Sequence, residues 1–255
     1  EEYKAEQLRS STASIVGTGT GTGSSVGLNN NNSMTSNSSN SGSKMSTLSK
    51  TLLVETAKEL SRLAKFYKTC QRYSEALPLC LEALDLCEKL HGKSHSETAK
   101  ELSGLGTLFY CQKRFNEAIK VFERCFNIRH RVLGESHVDT ISSLNHYADV
   151  LYDSDQLNES LAQFLILLEL QMKYIGIDCP DATVVLTKIA YIHTDLGHML
   201  SAKEYHMLAL DKRISFFGEN HPLTAQSYYN VGVVVDQQGL YHDALQYQLK
   251  ALHIR

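Results

Sequence analysis

The stretch FGENHPLTA at residues 217–225 restates two earlier ones, LGESHVDTI at 133–141 and HGKSHSETA at 91–99. Gly92, Gly134, Gly176 and Gly218 are spaced 42 residues apart, and His95, His137 and His221 share that grid, with Cys179 in the remaining slot. Self-similarity at a fixed period of about 20–50 residues marks a solenoid or array. The unit whose folding needs explaining is therefore the repeat.

The punctuation of each repeat predicts its shape. Ser94, Ser136, Asp178 and Asn220 occupy one register position, and all carry side chains that accept hydrogen bonds from the free N–H groups of a helical first turn. Three residues later come Glu97, Asp139 and Asp181, which complete or approximate a capping box and set negative charge at the positive end of the helix dipole. Pro180 and Pro222 fall in the same first turn, where a missing N–H removes no helical bond. The preceding glycines suit the left-handed position that ends the helix before. A second break near Gln71, Lys113, Asp155, Gly197 and Gly239 divides each unit into helix A and helix B. The expected helices are 50–70, 73–90, 95–112, 115–132, 137–154, 157–174, 179–196, 199–216, 221–238 and 241–255.

Apolar residues follow helical spacing on A (Leu63, Phe66, Tyr67; Leu105, Leu108, Phe109), and helix B opens on Tyr73, Phe115, Leu157, Met199 and Tyr241. Small residues recur where two helices must approach closely. They are Ala64, Gly106, Ala148, Ala190 and Gly232 on A, and Ala76, Ala118, Ser160, Ala202 and Ala244 on B.

Composition narrows the class of function. The net charge of −3 is far from that of a nucleic-acid binder recognised by bulk charge, and no apolar run approaches the ~18 residues of a membrane span. The six cysteines show no metal-ligand spacing and read as buried, reduced thiols of a cytosolic protein. His91 and His95 are four apart, but Gly92 breaks the helix that a metal pair at that spacing needs. No Ser/His/Asp or Cys/His set recurs with a role, and Cys80 and Cys125 read as packing residues of helix B. No enzyme activity, cofactor or metal is indicated. Residues 10–48 are almost entirely Ser, Thr, Gly and Asn and read as a disordered linker; its glycines alternate, matching no phosphate-binding fingerprint. The first ten residues suit the end of a preceding helix, and a chain opening on Glu1 reads as part of a longer protein. The fifth repeat would close at a glycine near position 260, so the sequence is expected to stop inside a helix whose outer apolar edge is uncapped.

The phrases LAKFYKTCQRYSEALPLCLEALDLCEKLHG (63–92), LGTLFYCQKRFNEAIKVFERCFNIRHRVLG (105–134) and FGENHPLTAQSYYNVGVVV (217–235) resemble tetratricopeptide repeats. At this period they are similar to the long version found in kinesin light chains and nephrocystin-3-like proteins. The resemblance covers about residues 50–255, divided as 50–92, 93–134, 135–176, 177–218 and a truncated 219–255, with 1–49 as tail. It implies an all-α, right-handed superhelix of helical hairpins. It also implies a non-enzymatic protein-interaction scaffold of the cargo-adaptor kind, cytoplasmic and associated with the cytoskeleton and its microtubule motors. An alternative is a regulatory or sensor module of a larger NTPase or kinase. Any oligomerisation would run through other regions.

In such families the concave wall, built mainly from A helices, takes up extended peptides, and an Asn just before the "LA" of helix A holds the ligand backbone. Only Asn230 keeps that residue; Arg62, Gly104, His146 and Lys188 replace it elsewhere. In this register Lys58, Arg62, Lys65 and Lys68 form a cationic stripe on repeat 1, joined by Lys100 from repeat 2. Like charges at such spacing cost a helix a few tenths of a kcal/mol per pair. The stripe is either a solvated face partly neutralised by Glu55 and Glu59 or a site for an acidic ligand. Further along the wall stand Thr107, Tyr110, His146, Asp149, Tyr152, Lys188 and Tyr191, a mixture suited to peptide side chains. The expected partner is thus an acidic peptide with an aromatic or leucine anchor.

Overall fold

The computed structural model describes residues 47–174 and 179–255, without the side chains of 47–49. The expected linker up to residue 46, Gly176 and the cap at Asp178 lie outside the described residues, while positions 47 and 48, also read as linker, begin the first helix. Ten helices follow one another: α1 (Thr47–Thr69), α2 (Tyr73–His91), α3 (Ser96–Cys111), α4 (Phe115–Leu133), α5 (Val138–Asp153), α6 (Leu157–Tyr174), α7 (Pro180–Asp195), α8 (Met199–Phe217), α9 (Pro222–Gln237) and α10 (Tyr241–Ile254). No strand occurs among the described residues. Each helix packs on its sequence neighbours, and the described residues form a right-handed superhelical α-solenoid with a row of small cores.

The small residues set how closely the helices approach. All ten named from the sequence are buried, six of them (Ala76, Ala118, Ala148, Ser160, Ala190, Ala202) completely. Ser160 joins that set by donating its hydroxyl to the Ala148 carbonyl at 2.9 Å, which satisfies a polar group inside the A–B contact. Gly106 shows how strict the requirement can be: a Cβ there would stand 2.9 Å from the ring of Phe122, itself only 2% exposed. Gly104, half a turn away, has nothing within 4 Å of an added Cβ. Gly104→Ala should therefore stabilise the array by about 1 kcal/mol through helix propensity. Gly106→Ala gains the same propensity but forces Phe122 to move at about 1–3 kcal/mol, for a net loss. Melting temperatures moving in opposite directions would bear this out, and a common direction would contradict it.

The junctions differ from the sequence reading in two ways. The caps fall one residue later than the expected Ser94, Ser136 and Asn220. His95, His137 and His221 take the extended cap conformation, and their Nδ1 atoms accept the N–H of Glu97 (3.2 Å), Asp139 (3.1 Å) and Leu223 (3.2 Å). A ring nitrogen does the work of the expected hydroxyl or amide. Thr98 and Thr224 close the junctions by donating to the Gly92 and Gly218 carbonyls at 2.7 and 2.8 Å. The rings of His91 and His95 stack at 4.8 Å.

The junction glycines are also not in the left-handed helical region. Gly92, Gly134 and Gly218 sit at φ 95, 88 and 84° with ψ 165, 170 and 169°, an extended mirror-image conformation that is essentially closed to other residues. The A–B turns do use positive φ near the left-handed helical value, filled by Gln71, Lys113 and Asp155 at 60, 62 and 64° in the first three and by Gly197 and Gly239 at 77 and 79° in the last two.

The first helix differs for another reason. Leu63 and Phe66 are 43% and 60% exposed, whereas their register equivalents Leu105 and Leu108 are buried. In the later repeats a preceding helix B covers this face; α1 has none before it among the described residues. At the other end Tyr241, Leu245, Leu249 and Leu252 of α10 are exposed.

Candidate functional site

Helices α3, α5 and α7 are the A helices of the second to fourth hairpins. Spacings of three residues along each (107 and 110; 146, 149 and 152; 188 and 191) hold side chains on one helical face. Thr107, Tyr110, His146, Asp149, Tyr152, Lys188 and Tyr191 all line one cleft of about 530 Å³. Its floor comes from Phe122 on α4 and Phe164 on α6, with Val150 and Asp153 completing the lining. The sequence reading missed the floor because it followed the A helices alone. The signal was present in the 42-residue interval between two phenylalanines.

A ladder of polar bonds runs across the wall. The Tyr110 hydroxyl donates to the Asp153 carboxylate, and the Tyr152 hydroxyl donates to Asp195 Oδ2 at 2.7 Å. Both bonds span 43 residues, so one contact recurs in successive repeats. The bond to Asp153, with burial, pushes the Tyr110 phenol up to about 12; burial, then Asp195, raises that of Tyr152. Both phenols therefore stay protonated at neutral pH and act as donors. Lys188 binds the Asp149 carboxylate, reaches Asn145 Oδ1 at 3.4 Å and lies 5.2 Å from the centre of the Phe164 ring. Asn145 in turn donates to Asp149 at 3.2 Å. The His146 ring lies 5.7 Å from that of Phe122; loss of hydration lowers its pKa, opposed by Asp149 and aided by Lys188.

The remaining predicted residues lie elsewhere. Lys58 pairs with Glu55 at 3.7 Å, Arg62 with Glu59 at 2.5 Å and Lys100 with Glu97 at 3.6 Å, all strongly exposed. These contacts supply the partial neutralisation expected of a solvated face. Lys65 and Lys68 take part in no ion pair among the described residues. Asn230 is 4% exposed, accepts from Gln226 Nε2 at 2.9 Å and leaves its own Nδ2 without a partner.

Two buried cations were not anticipated. Arg129 donates to the Asp139 carbonyl at 3.0 Å. Arg213, the same register position two repeats on, donates to the Leu223 carbonyl and to the hydroxyls of Ser227, Thr183 and Thr187 at 2.8–3.3 Å. Arg213 ties its helix B to the A helices on either side, and Arg129 ties its own to the A helix that follows. Cys125 is wholly buried and its thiol is pushed up to about 11 by burial, which suits packing rather than nucleophilic chemistry. Among the described residues no group of His, Cys, Asp or Glu could hold a metal ion, and no helix is long and apolar enough to cross a membrane.

Comparison with known proteins places this geometry. A family model described as tetratricopeptide repeat matches residues 55–129, 102–173 and 181–255. Among solved structures, the repeats of a putative kinesin light chain from Podosopora anserina superpose with a TM-score of 0.69 at 16% identity, over 77% of this chain and 93% of that one. BtubC (BKLC) from P. vanneervenii gives 0.67 at 18% identity, over 81% and 89%. YrrB, a TPR protein with an unusual peptide-binding site, gives 0.53 at 18% identity, over 81% and 92%. Identities this low speak for the fold alone, and comparison with curated proteins finds no match. With the family model matched over most of residues 55–255, the chain belongs to the tetratricopeptide repeat family.

Proposed function

We propose that the array is a non-enzymatic protein-interaction scaffold that takes up an extended peptide along its concave wall, as a cargo adaptor of the kinesin-light-chain kind would. The supporting observation is the convergence of seven side chains from three helices on one aromatic-floored cleft. Extended segments suit such a wall because side chains on three successive A helices can each meet a different residue of the ligand. Asn230 stands at the register position of Lys188, but its Nδ2 is buried, so it can donate to a ligand backbone only if the wall opens there. The anchor, an aromatic or leucine side chain, is buried near Tyr110 and Tyr152 and supplies most of the affinity. Acidic residues of the ligand meet Lys65 and Lys68, and displace Glu55 and Glu59 from Lys58 and Arg62. Each such pair is exposed and contributes about 0.5–1 kcal/mol, mostly by speeding encounter.

Fluorescence polarisation with a labelled peptide of acidic residues around one Trp or Leu tests this reading. Binding in the micromolar range is expected. It should weaken several-fold as salt rises from about 0.05 to 0.5 M and the Debye length shortens from about 14 to 4 Å. Lys58→Glu combined with Arg62→Glu should weaken it further without loss of helicity. Equal binding by parent and double variant would return the stripe to a solvated face.

A further inference from the structure

The concave wall changes sign along its length. Repeat 1 presents Lys65 and Lys68, neither in an ion pair among the described residues. One and two repeats on, the same positions hold Thr107 and Tyr110, then Asp149 and Tyr152. The cleft and its edge thus hold three carboxylates, Asp149, Asp153 and Asp195, against two ammonium groups: Lys113, 5.9 Å from the centre of the Tyr110 ring, and, in the lining itself, Lys188. The Lys188 ammonium is already committed to Asp149 and Asn145. Asp153 and Asp195 have no basic partner among the described residues; each accepts one phenol hydroxyl, which leaves most of its lone-pair sites free. The rings of Tyr152 and Tyr191 stand beside them as faces on which a cation can rest, as Lys113 already does 5.9 Å from the centre of the Tyr110 ring.

We infer that the bound segment is bipolar: acidic where it crosses repeat 1, and carrying a lysine or arginine, beside its apolar anchor, where it crosses the cleft of repeats 2–4. This rests on the peptide-scaffold reading and narrows it. The stem of the basic side chain lies on the tyrosine rings and its charged head meets Asp153 and Asp195. The two phenols hold these carboxylates in place in advance, so little ordering is left for the ligand to impose. An acidic side chain in the same place would face unneutralised carboxylates, and like-charge juxtaposition is among the strongest sources of rejection at an interface. A ligand acidic throughout would therefore gain at repeat 1 and lose in the cleft.

Three labelled peptides sharing one acidic stretch and one Leu anchor separate the possibilities; they differ in ending with Arg and Lys, with Ser and Gln, or with Asp and Glu. Polarisation with the unmodified chain should rank the basic-ended peptide tightest, about five- to tenfold over the acidic-ended one, with the neutral one between. Asp153→Asn combined with Asp195→Asn should erase that ranking, with helicity followed by circular dichroism. Equal or tighter binding of the acidic-ended peptide to the unmodified chain would overturn the bipolar reading and leave the scaffold reading standing. An unchanged ranking in a folded double variant would overturn it as well. Failure of all three peptides to bind would remove the scaffold reading, and this one with it.

Discussion

Lowering the pH from about 7 to about 5 will destabilise the array by about 2 kcal/mol, and His206→Phe will abolish most of that loss. His206 is 2% exposed, and burial first, then the charge of Arg213, pushes its pKa down to about 4. The unfolded imidazole protonates near 6.5. Between those values the unfolded chain binds the additional proton, so stability falls as pH drops through about 6.5 and levels off below about 4. His193 is shifted in the same direction by burial and adds to the slope. Phenylalanine is the apt replacement because the register equivalents of His206 are Phe122 and Phe164, both buried. The new ring can keep the edge-on contact that His206 makes with Tyr191 at 5.2 Å. Thermal melts by far-UV circular dichroism across this range give the comparison; parallel pH profiles for parent and variant would refute the assignment to His206.

The second large effect is conformational. Gly134→Ala should cost about 1–3 kcal/mol, since φ 88°, ψ 170° is a region that side chains other than hydrogen scarcely enter. Nothing lies within 4 Å of the added methyl, so the penalty is one of backbone alone. Gly92→Ala and Gly218→Ala should behave alike. Lys113→Gly should do the reverse: at φ 62° a lysine carries about 1–2 kcal/mol of left-handed strain, which glycine relieves at an entropic cost of about 0.5–1 kcal/mol. Urea melts of these single variants check the opposed signs. A Gly134→Ala protein that melts with the parent would show that the junction can re-form in another conformation.

Much of this was legible from spacing. The 42-residue grid yields ten helices whose observed ends lie within three residues of those expected, because caps, prolines and small packing residues all obey one period. The period does not say which atom caps a helix. Serine and asparagine outrank histidine as caps in general, yet here the next residue along presents a ring nitrogen to the N–H two positions later. Nor does it distinguish two positive-φ conformations, since glycine satisfies both. For the cleft, register alone places Tyr110, Asp149, Tyr152 and Lys188 on one wall. The partners that hold them, Asp153 and Asp195, escaped because the 43-residue offset joins different positions of neighbouring repeats. The exposure of Leu63 and Phe66 was hidden for a related reason: a periodic pattern shows which face is apolar, whereas burial depends on what covers it.

The most direct test is to locate a bound peptide by amide hydrogen exchange of the array with and without a saturating peptide that carries an acidic stretch, a Leu anchor and a basic end. The account predicts added protection in the segments carrying Thr107 to Tyr110, His146 to Tyr152 and Lys188 to Tyr191, with α10 unchanged. Protection confined to the exposed leucine face of α10, or to the outer faces of the B helices, would contradict it.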